Sequence, residues 1–488
     1  MAHSDQVGSA GRPARGFGAR SRAIGGSHVA VLLLLGGVGA GAACGTHGSS
    51  SNQGTPGGDA GGGGSNGQDS GVGNVSPDAA IEDAGAAEDA PSGNDAGAVV
   101  VIPAACNGSV KTIADAGAAP PAAPALTVAT GFKLETIAAV ANARQLAALP
   151  NGDLLVATNG TSIYLIPNAT AAGAAGAPIV FATVNDSPAQ GITYVATTCT
   201  IYVAGHAGIY SAPYVDAQTS ATFGSPIASV RTGAIAPNSD GDVHVTSSVG
   251  FTGGTVYAGV GSSCNACAEV DPTRAVILSM QPTGAGVATK ATRIRNAIAM
   301  TTNPATGTLW AGGAGQDDLP LYHPYEFFDA VTLHAGTADY GWPDCEENHV
   351  GYVADAGCTN TVVPLIELPS YSTLIGAAFY PLAPTGASAF PAAYRGGVFI
   401  AAHGGWHQSN GLFVTPPRVV YVAMNGDLPV TPVDWTDAGA QWTEFVGGFQ
   451  LADGTTRIGR PTGMTVGVDG SLFVADDQTG LVYRIRPE

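Results

Sequence analysis

The chain has 488 residues, 18 Lys and Arg against 37 Asp and Glu, and a formal net charge of -19, with an isoelectric point near 4.7. That balance argues against nucleic acid and anionic lipid as partners, because both demand clustered cations. Seven cysteines are read differently in an oxidising compartment than in a reducing one, so the compartment has to be settled first.

The N-terminus settles it. Arg12, Arg15, Arg20 and Arg22 precede the apolar run "VAVLLLLGGVGAGAA", which ends in small residues just before Cys44. This is the pattern of an export signal, too short at 15 residues to cross a bilayer comfortably. Residues 1–43 therefore read as a cleaved signal peptide. The last of them resemble a lipobox, with Gly41 where leucine is usual, so Cys44 is the expected lipidation site. The localisation that follows is an outer-membrane lipoprotein facing the periplasm or the cell surface, with plain secretion as the alternative.

From Gly45 to about Val100 the chain is Gly, Ser, Ala, Asn and Asp, with no Lys or Arg and scarcely a large apolar side chain. Such a composition cannot bury enough surface to fold. Residues 44–125 read as a disordered linker, a flexible acidic tether. The globular region is then 126–488, about 360 residues.

Removing Cys44 leaves Cys106, Cys199, Cys264, Cys267, Cys345 and Cys358. An even number in an exported chain points to disulfides, and proximity suggests Cys264 with Cys267 and Cys345 with Cys358, the connectivity staying open. Zinc at "CNAC" would want a second ligand pair, and no histidine follows Cys267 as haem attachment requires.

Within the globular region a single phrase recurs: "GDLLVAT" from Gly152, "TIYVAG" from Thr200, "TVYAGVG" from Thr255, "TLWAGG" from Thr308, "GVFIAAHG" from Gly397 and "SLFVADD" from Ser471. Each pairs β-formers with small residues, most follow a tight-turn signal, and hardly any stretch keeps a helical period. A β-rich repeat of about 50 residues marks a propeller, whose blades bury their faces only against one another. The expected fold is all-β, a six-bladed β-propeller with four-stranded antiparallel blades. The wider gap between the fourth and fifth copies is expected to hold a long loop region, roughly Asp317 to Leu374.

Function on a propeller sits where loops of different blades meet around the central channel. His244, in "SDGDVHVTSS", is placed to serve as a general base, or to be a structural histidine. "GGAGQDDLP" sets glycine-rich backbone beside Asp317 and Asp318, a composition that suits oxygen-ligated Ca²⁺ and equally a plain acidic turn. "ADYGWPDC" carries Tyr340 and Trp342, an aromatic wall for a sugar or flat ring, or loop packing around Cys345. Arg295, Arg457 and Arg460, in a chain so poor in cations, suggest an anionic ligand.

In order, "GSSCNAC", "DPTRA", "RNAIAM", "TGTLW", "DYGWPDC", "GAAFY", "FPAAYRGGVFIAAHGGW" and "GRPTGMTVGVDGSLFVADDQTGLVYRI" resemble the glucose/sorbosone dehydrogenases, soluble sugar dehydrogenases that use pyrroloquinoline quinone (PQQ). The resemblance runs from about Gly131 to the C-terminus. It implies a quinoprotein that oxidises an aldose or related sugar with PQQ and Ca²⁺, passing electrons to an external acceptor. It implies His244 as the base, and Arg295, Asn296, Arg460 and, less directly, Arg457 beside the cofactor. The backbone carbonyls of Gly313 and Ala314 would bind Ca²⁺, with Asp317 or Asp318 as the acid that follows. Two departures stand out. This chain has "HGGWHQ" where related sequences usually read "HGSWNR", so His407 and Gln408 replace an amide and a cation, and Thr246, Ser247 and Ser248 stand where an arginine is often found. The alternative is an exported propeller that has lost the cofactor and serves as a binding module.

Overall fold

The computed structural model describes Cys106 and residues 119–172, 174–215, 217–235, 243–317, 319 and 322–488. The signal peptide, Cys44, most of the linker and Asp318 lie outside the described residues.

Six four-stranded antiparallel blades form a propeller; in the first five the four strands run outward from the axis in chain order, and short fifth strands, Ala338–Asp339 and Thr127–Val128, extend the third and fifth. The innermost strands are Ala143–Ala148, Gly191–Val195, Ser247–Thr252, Ala297–Thr302, Leu374–Phe379 and Pro461–Val466. The six recurrent phrases are the second strands: Leu154–Thr158, Thr200–Ala204, Thr255–Val260, Leu309–Gly313, Val398–Ala402 and Leu472–Asp476. Four of them are buried at every position, because both faces of a blade pack on neighbours. That double burial explains why the phrases read as continuous β-formers with small residues rather than as strict alternation.

The last blade is completed from the other end of the chain. Phe132–Ala139 pairs with the C-terminal strand Leu481–Pro487 through a register that runs from Phe132 opposite Pro487 to Ala139 opposite Leu481. This joint closes the ring and leaves no long free edge. Two arginines of the C-terminal strand, Arg484 and Arg486, both donate to Glu135 across it, at 3.0 and 2.7 Å. Their hydrogen bonds, that of Arg486 first, hold the Glu135 carboxyl down to about 2 against a partial burial that opposes them.

One hydrophobic cluster fills each blade–blade interface. That between the fifth and sixth blades is the most aromatic: Phe132, Tyr380, Phe390, Phe399, Phe445 and Phe449 are all nearly or fully buried. Each such ring contributes roughly 2 to 3 kcal/mol by leaving water, so the interfaces rather than the single sheets carry the stability.

The long loop region expected between the fourth and fifth recurrent phrases is not all loop. It supplies the two outer strands of the fourth blade, Glu326–Asp329 and Ile366–Leu368, with a small hairpin of Cys345–Glu346 and Val350–Gly351 between them. The Cys345–Cys358 disulfide staples that hairpin. Cys264 is joined to Cys267, and a third bridge ties Cys106 to Cys199, 93 residues apart. Among the described residues no helix is long and apolar enough to cross a membrane.

Candidate active site

Four of the inner strands begin with a register irregularity: between Ala143 and Leu146, Ala297 and Ala299, Leu374 and Gly376, and Pro461 and Met464. A bulge re-aims the side chains around it. Asn296, Thr373 and Arg460, each preceding an inner strand, are thereby presented with Gln190 at one mouth of the ring. His244 reaches the same mouth from the segment that leads into Ser247–Thr252. Its backbone is held by the buried guanidinium of Arg231, which donates to the carbonyls of His244, Val245 and Thr246 at 2.9, 2.9 and 3.0 Å, and to that of His206.

At this mouth a cavity of about 160 Å³ is lined by His244, Arg295, Asn296, Asp317, Trp406 and His407, among others. His244 Nδ1 lies 2.8 Å from the Ser262 hydroxyl oxygen and 3.2 Å from the Ser262 carbonyl. Arg295, 5% exposed, spends its guanidinium on its own chain: the Asn265 carbonyl at 3.0 Å, the Asn265 side-chain oxygen at 2.9 Å, the Gly315 carbonyl at 2.5 Å and Asp317 at 2.9 Å. It acts as the clamp that shapes the 313–317 loop.

That loop fits closely over Asn296. The Ala314 N–H donates to the Asn296 carbonyl at 3.3 Å, and a Cβ on Gly313 would overlap the same carbonyl oxygen, so only glycine is accommodated there. The Gly315 N–H donates to Glu326 at 3.0 Å. A second, much smaller hollow of about 10 Å³ lies beneath, lined by Asn296, Gly313, Ala314, Glu326, Tyr340 and Glu346. Burial pushes the carboxyls of Glu326 and Glu346 up to about 8, despite the nearby Arg295. Asn296 Oδ1 is buried and accepts no hydrogen bond among the described residues. An orphaned amide oxygen on a residue that shares this hollow with loop glycines and two carboxyls is chemistry that suits a hard cation such as Ca²⁺.

Arg457 and Arg460 flank the loop that carries His403 to His407. Arg460 donates to the carbonyls of His403, at 3.1 Å, and Gly404; Arg457 donates to those of Gly405, at 2.8 Å, and Thr415, at 3.3 Å, and lies 3.8 Å over the Phe413 ring. All of these acceptors are uncharged, and neither guanidinium forms an ion pair with the described residues. Burial first, and Arg460 after it, depress the affinity of Arg457 for its proton to about 10. Two cations close enough to repel, neither of them ion-paired, suit an anion, although the charges of Asp477 and Asp476 already act on Arg460. Arg144, joined to Asp477 at 2.6 Å and to Gln190 at 3.0 Å, adds a third cation from the first blade.

Tyr340 and Trp342 do not line the cavity that holds His244. Each is only 3% exposed; the Tyr340 hydroxyl donates to Asp329 at 2.7 Å and the Trp342 ring N–H to the Asn265 carbonyl at 3.1 Å. Both line the small hollow beside Asn296 instead, and Trp342 also borders a separate cavity of about 340 Å³ with Arg274, Arg293 and Asp344. The accessible aromatic surface is elsewhere: His407 stacks on Tyr371 at 3.8 Å and on Trp406 at 4.1 Å, and Trp406 is 67% exposed. Tyr371 and Arg231 carry no signal in the sequence beyond their residue types, whereas Trp406 stands in the phrase "HGGWHQ". Cys264, Cys267 and Glu269 stand within 4.8 Å of one another, as metal ligands would, but the two sulfurs are bonded to each other and offer no thiolate.

No family model matches the chain. An uncharacterized protein of Borreliella burgdorferi is 25% identical over 199 residues, 40% of this chain and 48% of that one, so the chain spans about half the length of the curated relative it matches. The PQQ domain of pyranose dehydrogenase from Coprinopsis cinerea, in its holo form, superposes with a TM-score of 0.58 at 19% identity over 75% of this chain and 98% of that domain. A calcium structure of the family AA12 carbohydrate-active enzyme of Trichoderma reesei gives 0.59 at 18% over the same shares. The resemblance to PQQ-type sugar dehydrogenases thus holds for the fold.

Proposed function

We propose that this propeller, shared in fold with PQQ-type sugar dehydrogenases, is itself a PQQ- and Ca²⁺-dependent oxidoreductase acting on an aldose or related sugar. One observation carries the reading: His244 and Asn296, whose buried side-chain oxygen accepts no hydrogen bond among the described residues, line one cavity, beside a loop pinned by two guanidinium groups that form no ion pair with the described residues. The reading asks anion-seeking, cation-seeking and proton-accepting groups to serve one site, Arg457 and Arg460 through the loop they pin rather than from the lining of the cavity. A flat polycarboxylate with a hard cation satisfies the first two.

In this reading Arg457 and Arg460, with Arg144, hold the carboxylates of the cofactor. Asn296 and the carbonyls of Gly313 and Ala314 hold Ca²⁺, and Asp317 stays with Arg295 to fix the loop. Bound PQQ supplies a hydride acceptor. His244 would take the proton of the sugar hydroxyl being oxidised, the hydroxyl becoming a carbonyl as the bound quinone accepts the hydride from the same carbon. Trp406 and His407 border the entrance with ring faces suited to the C–H face of a sugar.

The chain is proposed to work outside the cytoplasm, anchored through Cys44 or secreted, handing electrons to an external acceptor. Three disulfides support that compartment. The alternative, a propeller that binds a carbohydrate without oxidising it, is favoured by the engagement of Arg295 with its own chain. Purified protein supplied with PQQ and Ca²⁺ should reduce a dye in the presence of an aldose, and His244→Ala should abolish turnover while PQQ affinity stays nearly unchanged. A His244→Ala protein that keeps most of its rate would remove His244 from the mechanism.

A further inference from the structure

We propose that the Cys264–Cys267 bridge is a redox-sensitive latch on the candidate site: a dithiol opens it, and the turn it closes then loosens its hold on Arg295 and the 313–317 loop. The latch is read from contacts within the chain. Its effect on a bound quinone rests on the function proposed above.

Asn265 lies inside the ring that the bridge closes. Its carbonyl accepts from Arg295 Nε at 3.0 Å and from Trp342 Nε1 at 3.1 Å. Its side-chain oxygen accepts from Arg295 Nη2 at 2.9 Å and from the Asp317 N–H at 2.7 Å, and its amide nitrogen donates to the Asp317 carbonyl at 3.1 Å. Main chain and side chain of one residue thus hold Arg295 and Asp317, which both line the cavity with His244. That double use requires a fixed backbone at Asn265, and the bridge restrains it from both sides at once. The flanks are anchored separately: the Ser262 N–H donates to the Arg295 carbonyl at 2.8 Å, and Glu269 accepts the Ser263 N–H at 2.5 Å and its hydroxyl at 2.8 Å. Opening the bridge therefore frees the turn and not the strand end that carries it.

Of the three bridges this one restrains the unfolded chain least, because its cysteines stand 3 positions apart against 13 and 93 in the others. What it sets is local geometry. It is also within reach of a reductant: Cys267 is partly exposed and lines the cavity of about 340 Å³ with Glu269, Pro272 and Trp342, whereas Cys345 and Cys358 are both buried. A thiolate entering there attacks Cys267 Sγ, forms a mixed disulfide with it and expels Cys264 as the leaving thiolate. The second thiol of the same dithiol then attacks the reagent's own sulfur in that mixed disulfide and releases Cys267. The dithiol departs oxidised to its disulfide, and its two electrons and two protons stay on Cys264 and Cys267.

The test treats the folded chain with graded dithiothreitol, then alkylates new thiols and locates them by mass spectrometry. Cys264 and Cys267 should be labelled together, before Cys345 and Cys358, at reductant levels that leave the far-ultraviolet dichroism unchanged. Hydrogen exchange at the Asp317 amide, whose acceptor sits in the turn, should then quicken by about tenfold or more, and reoxidation before alkylation should reverse it. A Cys264→Ser/Cys267→Ser double variant should show the fast exchange without reductant and no further response to it; should that variant fail to fold, the reduced wild type decides by the same readout. A bridge that yields only on unfolding, or one that opens with exchange at Asp317 unchanged, overturns the proposal. With the reductant removed and PQQ and Ca²⁺ supplied, opened protein should hold the quinone about fivefold more weakly than closed protein, the worth of one hydrogen bond. Equal retention by the two would overturn the coupling to the site. Closed protein that retains no quinone would instead defeat the proposed function and leave the latch, read by exchange, standing.

Discussion

Arg460 donates through Nε to the main-chain carbonyl of His403 at 3.1 Å, while the His403 ring meets Asp477 at 2.9 Å and Asp477 meets Arg144 at 2.6 Å. The loop that brings His407 and Trp406 to the cavity is thereby tied to the sixth and first blades at once. Arg460→Lys keeps the charge and loses the planar fork. PQQ retention should weaken by at least tenfold, with the unfolding midpoint changing little; equal retention in equilibrium dialysis would show that this guanidinium does not hold the anion.

The same contact predicts how stability depends on pH. Burial outweighs the Asp477 hydrogen bond and pushes His403 down to about 4, so between that value and the ordinary 6.5 the unfolded chain takes up a proton that the folded chain refuses. The contribution is complete above 6.5 and is lost as pH falls, by about 3 kcal/mol over the window. Asp477 adds a loss at lower pH: burial opposes its ionisation, but His403 and Arg144 outweigh it and hold the carboxyl down to about 2. Urea midpoints at pH 7 and 4.5 should fall less in His403→Gln than in the wild type. Parallel falls would show that His403 titrates normally.

Gly313 faces the Asn296 carbonyl with no room for a methyl group. Because the obstacle is backbone, Gly313→Ala must displace either the loop or the start of the inner strand, at a cost of about 1–3 kcal/mol. Any stabilisation of the wild type by added Ca²⁺, read as a shift in Tm, should shrink in this variant. A variant with wild-type midpoint and Ca²⁺ response would contradict the fit described here.

Trp406 is mostly exposed, so Trp406→Ala should leave stability within about 0.5 kcal/mol. If its ring is a platform for the sugar, KM should rise about fivefold to tenfold, the worth of roughly 1 kcal/mol of ring contact, with quinone retention unchanged. An unaltered KM would assign the exposed ring another use.

The ring of blades was legible in the sequence because its second strands are buried on both faces and repeat one phrase of β-formers and small residues. The closing strand Phe132–Ala139 was not, since its partner lies some 350 residues away and neither end announces the other. Some of the site was legible for a similar reason: His244, Arg295 and Asn296 immediately precede inner strands, where a regular architecture converts position in the repeat into position at the mouth. Tyr340 and Trp342 left two readings open in the sequence because an aromatic residue beside Gly and Pro looks the same whether it lines a cavity or fills the space under a loop. What decides is the hydrogen bond each makes, to Asp329 and to Asn265. The bridge from Cys106 to Cys199, likewise, follows only from the folded path.

The most direct measurement is equilibrium dialysis of PQQ against purified protein with Ca²⁺ present, followed by a single addition of aldose to the dialysed complex. One quinone should remain per chain, be reduced by the sugar without any other acceptor, and be lost from an Arg457→Gln/Arg460→Gln double variant that still folds. Protein that releases all its quinone at micromolar concentrations, or retains it equally well without the two guanidinium groups, would contradict the account.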